Sequence, residues 1–176
     1  FGYRDSVFKK SLRGKYFIYS VTVSLSKKAN FKLDYGSIRE NFKAQGITKP
    51  TLREVMEVIG EIRNSKLPNP HVLPNAGSFF KNPEISQTAF KRLQKKYPNI
   101  PSFPAGKKIK VPAGWLIEQA GFKGKRFGKV RMYEKQALIL VNQGGTAKQI
   151  LALVALVQKT VKKKFGLDLQ AEVNII

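Results

Sequence analysis

The sequence contains no cysteine and a single histidine, His71. Disulfide frameworks, thiolate metal sites and cysteine nucleophiles are therefore excluded, and there are too few imidazoles for the usual zinc ligand set, so no metal site is expected. Without cysteine an intracellular home is permitted rather than shown. Long apolar runs are also missing. The longest nearly apolar stretches, "ALILV" at 137–141 and "ILALVALV" at 150–157, fall well short of the roughly 20 residues that cross a bilayer as a helix. The chain opens "FGYRDS", with neither a methionine nor an apolar leader, and its amino terminus is expected to be a cut or processed end. Acids are scarce, with 11 Asp and Glu against 33 Lys and Arg, a formal net charge of +22. That imbalance makes polyanions attractive partners, although lysines spread through most segments also describe an ordinary solvated surface.

What remains is the composition of a packed protein. Hydrophobic residues make up 42% of the 176 residues and charged residues 25%, away from the disordered class. "KYFIYSVTVSL" at 15–25 alternates Phe17, Tyr19, Val21, Val23 and Leu25, the period of a strand with one buried face. Thr51 with Glu54 forms a capping box ahead of a helix carrying Leu52, Val55, Met56 and Ile59. That helix is expected to end before "NSKLPNPHVLPNAG", whose prolines, asparagines and glycine predict an irregular loop. "QTAFKRLQKKYP" reads as a basic helix stopped by Pro98, "IKVP" as a short strand, "AGWLIEQAG" as a short helix ending at Gly121, and "QALILVN" as a buried strand. Thr146 caps a helix whose apolar stripe is Ile150, Val154, Val157, Val161 and Phe165, ending at Gly166 with lysines in its last turn. "LDLQAEVNII" alternates again, leaving Glu172 on the face opposite its apolar row. Helices and strands mix without a strict βαβ rhythm, which predicts an α+β class, a mixed sheet with packed helices, from about residue 40 onward.

Three features could carry chemistry. Arg4 in "YRDS" stands beside an acid and a hydroxyl, an arrangement that is most often a local ion pair. In "SKLPNP" the prolines place Lys66 on a stiff irregular backbone, where a cation loses less entropy on meeting an anion. The third is the pair Ser78 and Glu172. Ser78, in "NAGSFFKNP", lies between a glycine and two phenylalanines. There is no GxSxG elbow and no histidine to activate it as a nucleophile, and a turn serine bonding its own backbone is the bland alternative. A serine can act as a proton donor without a histidine, given a neighbour that restores its proton.

The ordered succession "GYRDSVFK", "LDYGSI", "SKLPNP", "NAGSFFKNP", "AGWLIEQAGFKG", "QALILVN" and "LDLQAEV" resembles the carboxy-terminal half of the UDP-N-acetylenolpyruvoylglucosamine reductases. The likeness covers essentially the whole chain, and "YRDS" with "YGS" points to the subtype with a tyrosine-bearing loop. It implies the substrate-binding domain of a flavin reductase, residues 31–176, joined to a terminal piece of the FAD-binding domain, residues 1–30. It implies a cytoplasmic, monomeric enzyme of peptidoglycan synthesis, bound to no membrane and no specific nucleic acid, in which NADPH reduces FAD and the flavin reduces UDP-N-acetylglucosamine enolpyruvate to UDP-N-acetylmuramate. The resemblance makes Ser78 the proton donor. It sets Arg4 and Glu172 beside the substrate carboxylate, which would raise the proton affinity of Glu172. It matches Tyr35, Lys66, Asn82, Lys123 and Gln136 to substrate-binding positions and leaves the cofactor-binding residues unassigned. Phe103 stands where a tyrosine facing the uridyl group is expected. The family's flavin-binding half would precede "YRDS", so this chain alone is expected neither to hold FAD nor to turn over, and residues 17–25 to show an orphaned strand edge. The alternative reading is a non-enzymatic basic nucleic-acid-binding domain, against which the aromatics show no single-strand-binding pattern.

Overall fold

The computed structural model describes residues 1–34 and 37–175 and divides into two compact units, Phe1–Ser65 and Lys66–Ile176. In the first, a single 3-10 turn at Val7–Lys9 precedes two helices, α1 (Ile38–Ala44) and α2 (Leu52–Lys66, its last residue counted with the second unit). Their small core is Ile38, Phe42, Val55 and Val58, with Phe31, Leu33, Ile47 and Ile62 against it. The capping box of α2 forms: Thr51 N–H donates to Glu54 Oε2 at 2.6 Å, and Glu54 N–H donates to Thr51 Oγ1 at 3.3 Å. The buried stripe is a different one from the sequence reading. Val55, Val58 and Ile62 face the core, whereas Leu52 and Met56 are exposed.

Residues 16–26 carry no strand. Period-2 alternation predicts a buried face only if a neighbouring strand supplies the hydrogen-bonding edge. Among the described residues none pairs here, and both sets of side chains, Phe17 and Tyr19 as well as Tyr16 and Ile18, lie exposed.

The second unit holds strands β1 (Asn75–Ser78) and β2 (Glu84–Ser86), helix α3 (Gln87–Lys96), strands β3 (Phe103–Ala105) and β4 (Lys108–Lys110) and helix α4 (Ala113–Gln119). Strands β5 (Arg126–Phe127), β6 (Val130–Met132) and β7 (Ile139–Asn142) and helix α5 (Ala147–Phe165) complete it. All strand pairs are antiparallel: one sheet runs β1-β7-β6-β5, the other β2-β4-β3. The α+β class is as expected. Helix α5 is bounded as its sequence dictates, by a Thr146–Gln149 capping box and by Gly166 at φ +72°. Its stripe of Leu153, Val154, Val157, Val161 and Phe165 joins Leu116 and Ile117 of α4 and Val130, Met132 and Leu140 of the four-stranded sheet in one core. Phe80 is 1% exposed in that core; burying a ring of this size contributes about 1.5–3 kcal/mol.

Two sequence expectations change in this unit. Asn75, the last asparagine of the proline-rich stretch, begins a strand, β1, because its edge is taken by β7. Among its described residues the alternating tail forms no strand but a single β-bridge, Phe80 with Ala171, flanked by Lys81 N–H to Gln170 O and Glu172 N–H to Phe79 O, both 2.8 Å. Leu167 and Leu169 are buried, but Ile175 is not.

Candidate functional site

The position of Ser78 is set by a bulge. On β1, Asn75 pairs with Val141 and Ser78 with Ile139, so three steps on one strand oppose two on the other. Gly77 takes up the extra residue at φ +71°, a left-handed conformation that costs glycine nothing, and Asn75 Oδ1 accepts its N–H at 2.9 Å. Without the bulge Ser78 would point away from the face that Asn75 shares. With it, Ser78, Ile139 and Tyr133 form one cross-strand row, since Tyr133 N–H donates to Ile139 O at 2.8 Å. Tyr133, Ile139 and Val141 pack with Leu67 and Leu73 on this face, opposite the main core. The two phenylalanines that follow lie in the main core and anchor the end of the strand.

Glu172 arrives beside this strand through the tail. Its N–H bonds the carbonyl of Phe79, the residue next to Ser78, and both Ser78 and Glu172 are half-buried. The backbone thus brings together two residues far apart in sequence. Lys81 follows Ser78 by three residues, the spacing that on a helix sets a lysine against a serine nucleophile. Here Ser78 ends β1 and Phe80 lies in a bridge with Ala171, so no helix carries the two residues and that motif is not formed.

Asn82 and Gln136 meet at the start of α4. Asn82 Oδ1 accepts the N–H of Ala113 at 2.8 Å, capping a helix whose own N-cap, Pro112, has no side-chain acceptor. A β-carbon on Gly114 would lie 2.8 Å from Gln136 Oε1, so only glycine lets that amide approach. Lys123 lies beyond the other end of α4, paired with Glu118 Oε1 at 2.7 Å. Phe103 is exposed on the edge strand β3.

Lys66 corrects the sequence reading: it is the last residue of α2, not part of an irregular loop. The helix runs through Asn64 and Ser65, with Ser65 Oγ donating to the Ile62 carbonyl, and stops where Leu67 precedes Pro68. Arg4 belongs to the first unit. Its φ of +55° is rare for a residue with a β-carbon, and its guanidinium lies 5.5 Å from the Tyr3 ring centroid. Asp5 pairs with Lys10, and that hydrogen bond holds its carboxyl below the usual aspartate range. Tyr35 lies outside the described residues.

The β5–β6 hairpin turns at Gly128–Lys129 between Phe127 and Val130, a two-residue turn signal flanked by strands too short to show alternation. It carries Arg126 and Arg131, and the Nε of Arg131 is buried without a hydrogen-bond partner. Among the described residues no group of three or more metal-ligating side chains gathers, and no helix is long and apolar enough to cross a membrane.

An α+β module, with a bulge-presented serine and a glutamate delivered by the tail, is the class these elements define. Residues 69–176 match the family model for the UDP-N-acetylenolpyruvoylglucosamine reductase carboxy-terminal domain, and the chain belongs to that family. It is 46% identical to the UDP-N-acetylenolpyruvoylglucosamine reductase of Flavobacterium johnsoniae, covering 100% of this chain and 53% of that protein. It is 45% identical to that of Chromobacterium violaceum, over 100% and 52%, and 44% identical to that of Pseudomonas aeruginosa, over 99% and 52%. The chain spans about half the length of these curated relatives.

Proposed function

We propose that this chain is the substrate-binding part of a reductase that converts UDP-N-acetylglucosamine enolpyruvate to UDP-N-acetylmuramate, with Ser78 as proton donor and Glu172 and Arg4 at the substrate carboxylate. The observation that carries this reading is the Phe80–Ala171 bridge, which puts Glu172 beside the strand end bearing Ser78. Addition of a hydride to one alkene carbon leaves an electron pair on the neighbouring carbon, delocalised into its carboxylate. The Ser78 O–H then breaks, its proton bonds that carbon, and the alkoxide takes a proton back from its surroundings. Stabilising the enolate before that transfer is the work of Arg4, by charge, and of Glu172, as a hydrogen-bond donor when protonated. Tyr35, Lys66, Asn82, Lys123 and Gln136 are assigned to the nucleotide-sugar, with cations and amides suited to its phosphate oxygens.

FAD and NADPH come with this reading as cofactor and reductant of the whole protein. In this chain the glycine turn between β7 and α5 does not fit a dinucleotide pyrophosphate, because its amides are already bonded: Gly145 N–H to Asn142 Oδ1, Thr146 N–H to Gln149 Oε1 and Gln149 N–H to Thr146 Oγ1. The domain assignment, flavin-side residues 1–30 and substrate-side residues 31–176, and the cytoplasmic, monomeric state belong to the same proposal.

The test joins this chain to the amino-terminal half of the Flavobacterium johnsoniae relative and compares it with the Ser78→Ala form. Flavin reduction by NADPH should be unchanged and substrate reduction should drop by roughly 10²–10⁴-fold, the usual weight of a positioned general acid. Substrate reduction at the parental rate would remove Ser78 from the mechanism.

A further inference from the structure

The carboxy-terminal tail carries Glu172 to the end of β1 on few supports. After Gly166 ends α5, Leu167 and Leu169 turn into the main core while Asp168 and Gln170 stay exposed, the alternation of extended backbone. Two backbone bonds hold one edge of this stretch, Lys81 N–H to the Gln170 carbonyl and Glu172 N–H to the Phe79 carbonyl. Successive carbonyls of an extended chain point to opposite sides, so the Leu169 carbonyl faces away from Lys81, where among the described residues no strand pairs. Gln158 of α5 takes it: its Nε2–H donates to the Leu169 carbonyl at 2.8 Å, in a half-buried setting. One turn further along α5, Lys162 pairs with Asp168, but both side chains are exposed and such a pair holds little. Two bonds along a single edge leave a hinge about their line. A third on the opposite edge fixes the rotation of the tail, and with it the reach of Glu172, three residues on.

We propose that Gln158 is a positioning residue for Glu172, acting through the Leu169 carbonyl. The proposal rests on the reductase reading for what Glu172 does beside Ser78, and on the hydrogen bonds alone for how Glu172 is held. A third anchor matters because a misplacement of about 1 Å in a reacting constellation can cost on the order of 10²-fold in rate. What the position requires is a donor: Gln158→Arg keeps an N–H, whereas Gln158→Leu loses it and Gln158→Glu, of the same size, sets a carboxylate against a carbonyl at neutral pH.

Amide hydrogen exchange in the 176-residue chain reads this anchor without any substrate. Gln158→Leu and Gln158→Glu should speed exchange at the Glu172 amide by about tenfold, the weight of one hydrogen bond, with Val157 and Val161 of α5 unchanged. Gln158→Arg should return it to within about twofold of the parent, and Lys162→Gln should alter it by no more than that. Unchanged exchange at Glu172 in Gln158→Glu, or an increase shared equally by α5, overturns the proposal. The second arm uses the chain joined to the amino-terminal half of the Flavobacterium johnsoniae relative. There Gln158→Glu should lower kcat for substrate reduction by about tenfold, with KM and flavin reduction by NADPH unchanged, and should lower it no further in the Glu172→Gln background. An equal drop in both backgrounds means that Gln158 acts by another route, and overturns the proposal as well. Faster exchange at Glu172 with parental turnover in Glu172→Gln would leave the anchor standing and take Glu172 out of the reductase chemistry.

Discussion

Asn82 shows how much one side chain can do in this fold and how little of that is visible in the sequence. Its Oδ1 accepts the Ala113 N–H at the start of α4, 31 residues away in the chain. The amide's two N–H donors are separate from that acceptor, so the cap and the proposed contact to a nucleotide-sugar fall on different atoms. Asn82→Asp retains the acceptor and loses the donors; Asn82→Ala loses both. The alanine variant should lose roughly 1 kcal/mol in urea unfolding, as an emptied helix cap does, whereas the aspartate variant should stay near parental stability and weaken UDP binding in calorimetry. If both variants bind UDP as the parent does, Asn82 is a cap alone. Gly77 makes the complementary point. "NAG" announces a turn, but only the pairing of Ser78 with Ile139 reveals a bulge that returns the serine to the face of Asn75. Residue identity gave the candidate, and register decided where it points.

The elements that were legible are those whose signals are local. The Thr51–Glu54 capping box and the Thr146 cap form as read, the latter completed by Gln149 into a second box, and α5 ends at its glycine. What a helix packs against is not local: the core of α2 uses Val55 and Val58, which cluster with Ile38 and Phe42, rather than Leu52 and Met56. Short strands such as β1, β5 and β6 leave little trace in the sequence because two to four residues hold too little alternation to register, and β1 in addition pairs with a strand more than 60 residues away. The cap of α2 also makes a pH prediction. Thr51 N–H and Oγ1–H both donate to Glu54, and these bonds hold its carboxyl below the ordinary glutamate range. A depressed folded-state value means the stabilisation is present above the ordinary range and is lost as pH falls through the folded-state value. Thermal melts of the parent and Glu54→Ala should therefore differ at neutral pH and converge in acid; a gap that persists in acid would locate the effect in packing rather than charge.

On the scale of the whole molecule two features oppose each other. A net charge of +22 keeps copies of the chain apart, while residues 16–25 expose Phe17, Tyr19, Val21, Val23 and Leu25 with no strand beside them among the described residues. An unpaired segment with this alternation is a template for pairing with another copy, and repulsion among surface charges is what salt removes. Near 0.5 M ionic strength the screening length falls to a few ångströms, between about 10 Å at 0.1 M and about 3 Å at 1 M. Self-association should therefore rise with salt, the reverse of what an assembly held by ion pairs would do. Light scattering at 20 mM and about 500 mM NaCl should show a higher average mass at the higher concentration. Thr22→Pro, which removes an N–H that a paired strand needs, should keep the mass at one copy in both. A mass that does not change with salt, or that rises equally in Thr22→Pro, would mean that this segment is not the adhesive surface. Some other exposed hydrophobic side chain, Leu52 or Met56 on the outer face of α2 first among them, would then have to be substituted in the same assay.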